Sequence, residues 1–316
     1  MMTRIFVYEY LSGGGSVDGD PAASATLLPM GLAMRDAVVR DLQRARIGPV
    51  TVATCAAAGP VPPGSRAVSA RPGETPEAFV ARQAALHDAV WAVAPESDGL
   101  LASMQAAVGR ARWLGCDAAA IALASSKGAT LARLRAHGVT TPHDLAAEAT
   151  RWVVKPDDGA GAVATQVWAS RATADGDVLR REAVGASAWI EPWVDGEAMS
   201  LSLLARAGQA ELLSVNRQRI HLDGDGRVAY DGVDLDIVPP PDPRRGVLAA
   251  LAGRVAAAIP GLSGFAGVDF IWHPQRGPVA IEVNPRTTCA FVGLSERLGR
   301  CLAAEIVAAR REPLHA

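Results

Sequence analysis

Residues 264–294, GFAGVDFIWHPQRGPVAIEVNPRTTCAFVGL, constrain this chain more than any other stretch. Two apolar runs, 268–272 and 279–283, are rich in β-branched and aromatic residues, and the turn formers of 273–278 separate them. The pattern predicts an antiparallel hairpin. An acid interrupts each strand, Asp269 in the first and Glu282 in the second, and Asn284 shares a face with Glu282 at spacing two. A loop centred between Gln275 and Arg276 sets Asp269 directly opposite Glu282. Facing carboxylates destabilise a ladder. A cation between them reverses that sign, and an all-oxygen ligand set suits Mg²⁺ or Mn²⁺ rather than zinc. Pro285 ends the strand, and Arg286 brings a guanidinium beside the acids. The competing reading, a plain hairpin with two solvent-facing acids, fits poorly with the apolar flanks of both.

The rest of the chain alternates. Residues 4–8 read as a buried first strand, followed by the glycine-rich turn EYLSGGG at 9–15. Further strands are expected at 50–54, 90–93 and 119–123, with helices at 28–45, 75–86 and 100–114; 57–76 reads as irregular or a short strand. Strands alternating with helices predict a parallel sheet covered on both faces, and such sheets bind ligands at the carboxyl ends of their strands. Glu9, Ser12, Gly13 and Gly14 are therefore candidate substrate residues, although Asp18 in the third glycine position breaks the dinucleotide pattern. Beyond residue 125 the pattern turns to short strands and hairpins, at 152–156, 163–168, 188–194, 199–204, 210–215 and 230–237. Helices follow at 247–259 and 295–310. The chain is α/β, with an α+β C-terminal part, and divides into a parallel α/β unit (1–115), a small unit (116–187) and a mixed or antiparallel unit (188–316).

Three further polar exceptions carry chemistry. Lys155 sits in the apolar run WVVKP and needs an anion or a shifted pKa if buried. The adjoining turn, with Gly159, Ala160 and Gly161, offers backbone N–H groups to phosphate oxygens. Lys127 opens a helix, where anions are favoured. EPWVDGE at 191–197 suits an adenosine clamp, with backbone at Trp193 and Val194 reading the base edge and the carboxylates of Glu191 and Glu197 at the amino group and ribose. Net charge is −2, without a basic cluster, so a nucleic-acid surface is not expected. No uncharged apolar stretch reaches membrane-spanning length. The four scattered cysteines suggest reduced thiols in a cytoplasmic protein.

Taken in order, Lys127, Lys155 with its glycine turn, EPWVDGE, Asp269, Glu282 and Asn284 resemble the ATP-grasp superfamily from about residue 125 onward. The resemblance implies ATP-grasp architecture with a preceding α/β domain. It also implies ATP phosphates on Lys127 and Lys155, a lid at 159–161, adenine at Glu191 and Val194, and ribose at Glu197, though many members place that acid one residue later. Two Mg²⁺ ions would lie on Asp269, Glu282 and Asn284, and Arg286 and Arg217 would stabilise the transferring phosphoryl group. More closely, VYEYLSGGG, LLPMGLAMRDAVVRDL, APESDG, SSKGATLARLRAHGVTTP and EVNPRTTCAFVGL look like the tyramine–glutamate ligases of methanofuran synthesis and their bacterial relatives. Cys289 stands where serine is common in such runs and Ser126 where aspartate is. That likeness implies a carboxylate–amine ligase joining glutamate to an aromatic amine or amino acid. The expected partners are these small molecules and a second copy of the chain, as a homodimer. Glu9, Glu96 and Asp231 are candidate bases for the amine. A phosphotransferase that makes no amide and a nucleotide binder without turnover remain as alternatives.

Overall fold

Three β-sheets follow one another along the chain in this computed structural model, which describes residues 2–16, 21–159 and 161–311. The first is parallel. Strands β1 (Ile5–Glu9), β2 (Val50–Ala53), β3 (Arg66–Val68) and β4 (Ala89–Val93) lie in the order β3-β2-β1-β4. Ile5, Phe6, Val7 and Tyr8 are all fully buried, as a central strand covered on both faces requires. Helices α1 (Pro21–Arg44), α2 (Pro76–Ala84) and α3 (Leu100–Val108) supply the cover. Thr75 caps α2, accepting the Ala78 N–H at 3.2 Å, with Pro76 at the first helical position. Helix α1 starts earlier than its apolar pattern suggests and takes in Pro29.

Two expected elements come out differently. Residues 119–123 are not a strand. They lie in helix α4 (Ala118–Ala124), which Asp117 caps by accepting the Ala120 N–H at 2.8 Å. A short apolar run is ambiguous by periodicity, and here alanine's helix propensity and the cap decide it. The single helix expected over 295–310 is two, α8 (Leu294–Leu298) and α9 (Leu302–Arg311). Ser295 Oγ of α8 donates to Asp41 of α1 at 2.6 Å, and the same carboxylate oxygen accepts the Ala303 N–H of α9 at 2.9 Å. An acid of α1 thus caps α9.

Helix α5 (Lys127–Ala136) leads into a small antiparallel sheet of β5 (Trp152–Lys155), β6 (Gln166–Trp168) and β7 (Trp189–Pro192), ordered β6-β5-β7. Helix α6 (Arg171–Glu182), which the sequence pattern did not suggest, joins β6 to β7. Because β7 pairs with β5, this sheet runs on to Pro192. The third sheet holds β8 (Glu197–Arg206), β9 (Gln209–Leu222), β10 (Val228–Asp234), β11 (Gly264–His273) and β12 (Gly277–Asn284), in the order β10-β9-β8-β11-β12. Helix α7 (Arg244–Ala258) backs it through Leu248, Leu251 and Val255, all buried. Among the described residues no helix is long and apolar enough to cross a membrane.

One buried side chain gives the first sheet an acid limit. The His87 ring packs on Phe6 with centroids 5.6 Å apart, and its Nδ1 lies 2.7 Å from the Gln83 carbonyl. Burial lowers its pKa from 6.5. The folded state therefore disfavours the imidazolium, and stability present above pH 6.5 is lost as the pH falls below it. Melting temperatures measured between pH 8 and 5 are expected to decline on the acid side in the wild type and less in His87→Gln. Equal declines would rule His87 out as a cause.

Candidate active site

The acid pair is created by a bulge. Residues 274–276 form a three-residue loop, with His273 paired to Gly277 and Gly277 at φ 70°. Ordinary pairing from that loop would set Asp269 opposite Ile281 and turn Glu282 to the other face. Instead the register shifts after Phe270↔Ala280, Ile281 is the extra residue, and Asp269 faces Glu282. The facing pair is as expected from the sequence, but the loop is odd-numbered and the bulge makes up the difference. Asn284 Nδ2 donates to Asp269 Oδ2 at 3.2 Å. Burial and then the charge of Glu282 push the Asp269 carboxyl up to about 7.

These groups line a cleft of about 1290 Å³ reached by all three sheets. Lys127, Lys155, Gly159, Gly161, Glu191, Trp193, Val194, Asp269, Glu282, Asn284, Arg286 and Glu9 all border it. Ala160, expected in the same turn, lies outside the described residues. Each cation here has a partner. Lys155 Nζ is 2.6 Å from Glu191 Oε1, a buried pair across β5 and β7, and Trp189 Nε1 donates to the other Glu191 oxygen at 2.8 Å. Lys127 Nζ lies 3.3 Å from Glu282 and donates to the Gly159 carbonyl at 2.5 Å. Arg286 grips Glu96 through Nε at 2.9 and 3.0 Å and Nη2 at 2.9 Å. Burial works against the Arg286 charge, but Glu96 outweighs it and raises the guanidinium pKa. The turn at 157–159 also reaches the first sheet's side of the cleft, where Asp158 Oδ2 accepts the Asp98 N–H at 2.9 Å.

Other predicted residues fall elsewhere. Glu197 and Arg217 do not border the cleft. They share the sheet face of Met199 and pair with each other at 2.5 Å, while Ala198, Ser200 and Gln218 face the cleft. Next to Glu197, the position that points inward holds Ala198. Asp231 is exposed and sits 3.6 Å from His221. Glu96 stands behind the cleft as the partner of Arg286 rather than in its lining. Ser12, Gly13 and Gly14 are likewise absent from the lining. A Cβ on Gly13 would lie 2.5 Å from the Tyr8 ring, and one on Gly15 the same distance from the Tyr10 ring, so aromatic packing explains these glycines. The Trp193 N–H donates to the Arg151 carbonyl at 2.9 Å, which leaves only the Trp193 carbonyl for a ligand. Burial pushes the Cys289 thiol up, as suits a packed residue rather than a nucleophile.

Among the described residues no group of three His, Cys, Asp or Glu side chains is gathered as a metal centre. Two opposed carboxylates and one amide are what the hairpin offers. Their chemistry fits a hard divalent cation, since all are oxygen donors and a cation would relieve the repulsion that raises Asp269.

The sequence matches the model of the ATP-grasp domain over residues 124–290, more than half of the chain. The chain belongs to the ATP-grasp family. A pre-ATP-grasp domain model matches residues 50–121, within the part that holds the parallel sheet. No curated protein matches the sequence. Among solved structures, an ATP-grasp superfamily protein from Archaeoglobus fulgidus is 21% identical with a TM-score of 0.70, covering 97% of this chain and 88% of that one. An L-amino acid ligase from Bacillus licheniformis is 17% identical with a TM-score of 0.68, covering 98% and 74%. A D-alanine–D-alanine ligase from Bacillus anthracis is 13% identical with a TM-score of 0.64, covering 98% and 97%. At these identities the likeness establishes a shared fold. The present ATP-grasp chain thus has the mixed α/β architecture expected of it: a parallel sheet first, antiparallel sheets after.

Proposed function

We propose that this chain is an ATP-dependent carboxylate–amine ligase. One observation carries the reading: Lys127, Lys155, Arg286 and the Asp269–Glu282 pair, far apart in sequence, border a single cleft. That assembly suits an anionic, metal-bound triphosphate beside a carboxylate to be activated. Lys127 and Lys155 would exchange their carbonyl and Glu191 contacts for phosphate oxygens. The turn at 159–161 would act as the lid, next to Asp158, which accepts the Asp98 N–H. Glu191, Trp193 and Val194 would border the adenine. Asp269, Glu282 and Asn284 would hold Mg²⁺ or Mn²⁺, as two ions, whose contribution is charge neutralisation at the phosphates. Arg286, held by Glu96, would place positive charge where it develops on the transferred group.

The γ-phosphoryl group passes to a substrate carboxylate, giving an acyl phosphate and ADP. An amine then displaces phosphate to form the amide. Phosphoryl transfer depends mainly on position and charge, and the closed lid excludes water that would hydrolyse the intermediate. We propose the three units read from the sequence, 1–115, 116–187 and 188–316, with the second extended to Pro192 so that β7 stays in its sheet, and with lid and metal functions in the second and third. The motif likeness favours glutamate as the acid and tyramine, tyrosine or a similar amine as the nucleophile, in a methanofuran- or methylofuran-type synthesis, by a cytoplasmic homodimer. The test is an ADP-release screen of amino acids against such amines, with product masses determined. ADP is expected only when acid and amine are both present. Release that no amine affects would leave a phosphotransferase instead.

A further inference from the structure

Three buried glutamates stand in or just behind the wall of the cleft. Glu191 holds Lys155 and Glu96 holds Arg286. Glu9, only 4% exposed at the end of β1, makes no ion pair among the described residues. Its oxygens accept the backbone N–H groups of Ser12 at 2.8 Å and Leu11 at 3.2 Å, so the carboxylate is fixed against its own loop. Arg35, on α1, acts on it only at a distance. The Arg35 Nε is engaged by Asp36 at 2.8 Å and its Nη2 by the Pro60 carbonyl at 3.2 Å. A buried carboxylate without a cation is costly, and the cost is relieved when a cation arrives with its own hydrogen bonds.

The surroundings say what kind of cation. Around Glu9 the cleft is walled by Tyr10, Leu11, Leu27, Met30, Met34 and Val93, with no basic side chain in that set. Helix α1 passes so close that a Cβ on Gly31 would lie 2.6 Å from both Glu9 oxygens. That glycine keeps a cleft-lining carboxylate and a cleft-lining helix in contact.

We propose that Glu9 marks the subsite of the amine substrate, receiving the ammonium of a molecule whose remainder is apolar. This rests on the ligase reading above. The Glu9 carboxylate holds the ammonium end, the methionine-bearing face of α1 and the Tyr10–Leu11 segment pack the apolar body, and the acid to be activated lies toward Arg286. An amine carrying a second charge on its body fits this end poorly.

The experiment is steady-state ADP release by the full chain and its Glu9→Gln and Gly31→Ala variants, with amine and ATP varied in turn. Gln carries no charge and keeps one acceptor oxygen, enough for one of the Leu11 and Ser12 N–H groups that the two Glu9 oxygens now share. Ala at 31 favours the helix and displaces the carboxylate. Both variants are expected to raise the KM for the amine about 10- to 100-fold, the loss of one charged hydrogen bond, and to leave the KM for ATP unchanged. The alcohol analogue of the amine should compete far less well than the amine in the wild type and about equally in Glu9→Gln. An amine KM unaltered in both variants overturns the assignment. If circular dichroism shows Glu9→Gln unfolded, Gly31→Ala decides. Wild-type ADP release without any amine dependence removes the ligase reading and this subsite with it, whereas amine dependence with unaltered variants removes the subsite alone.

Discussion

Glu282→Ala is expected to lower amine-dependent ADP release about 10²–10³-fold while leaving the chain folded, the effect of losing one preorganised electrostatic group of about 3–4 kcal/mol. The side chain is engaged on two sides, by Lys127 at 3.3 Å and by the facing Asp269. Its removal would deprive the divalent ion proposed there of a carboxylate. The fold has little to lose, because one of two opposed acids disappears and Lys127 retains the Gly159 carbonyl. Melting temperature at or above the wild-type value, together with lost turnover, is the expected pair of readings. Near-normal Mg·ATP-dependent turnover in this variant would sink the metal assignment of the hairpin.

The largest stability effect is expected at the other end of the cleft. Glu191→Ala leaves Lys155 buried without its partner, and breaking a buried pair from one side costs about 3–5 kcal/mol. Trp189 Nε1 loses its acceptor in the same step. Lysine can shed its proton, which caps the loss. The double variant Lys155→Met with Glu191→Leu fills the same space without charge and is expected to recover most of the stability, though not nucleotide binding. Urea midpoints of the three proteins test this. A Glu191→Ala loss below about 1 kcal/mol, the value of an exposed ion pair, would show that water reaches the Lys155–Glu191 contact.

Much of this arrangement was legible in the residues because the informative positions broke a local pattern. Lys155, Asp269 and Glu282 are polar exceptions in apolar runs, and all three border the cleft. Glu197 and Arg217 show where such reasoning slipped. Residues 197, 199, 201 and 203 read Glu, Met, Leu, Leu, and 198, 200 and 202 read Ala, Ser, Ser. That alternation already placed Glu197 on the apolar face with Met199, away from the polar row that turns inward. Nothing local announced the grip of Glu96 on Arg286, which spans 190 residues and depends on how the first sheet meets the third. The residues around the glycine turn were ambiguous for a different reason. Glycine marks a close approach, and the sequence does not say whether a ligand or a ring of the same chain, here Tyr8 and Tyr10, does the approaching.

The bulge at Ile281 makes the hairpin sensitive to residue count more than to residue identity. One residue lost from the paired run 277–280 can be made good by dissolving the bulge, since regular pairing then brings Glu282 opposite Asp269 unaided. One residue gained there has no such remedy. With the bulge kept it would turn Glu282 toward the face that α5 covers, and with the bulge dissolved it would bring Glu282 opposite Gly267 instead of Asp269. In this hairpin a shortening is reparable and a lengthening is not, so length changes in the paired run are one-directional.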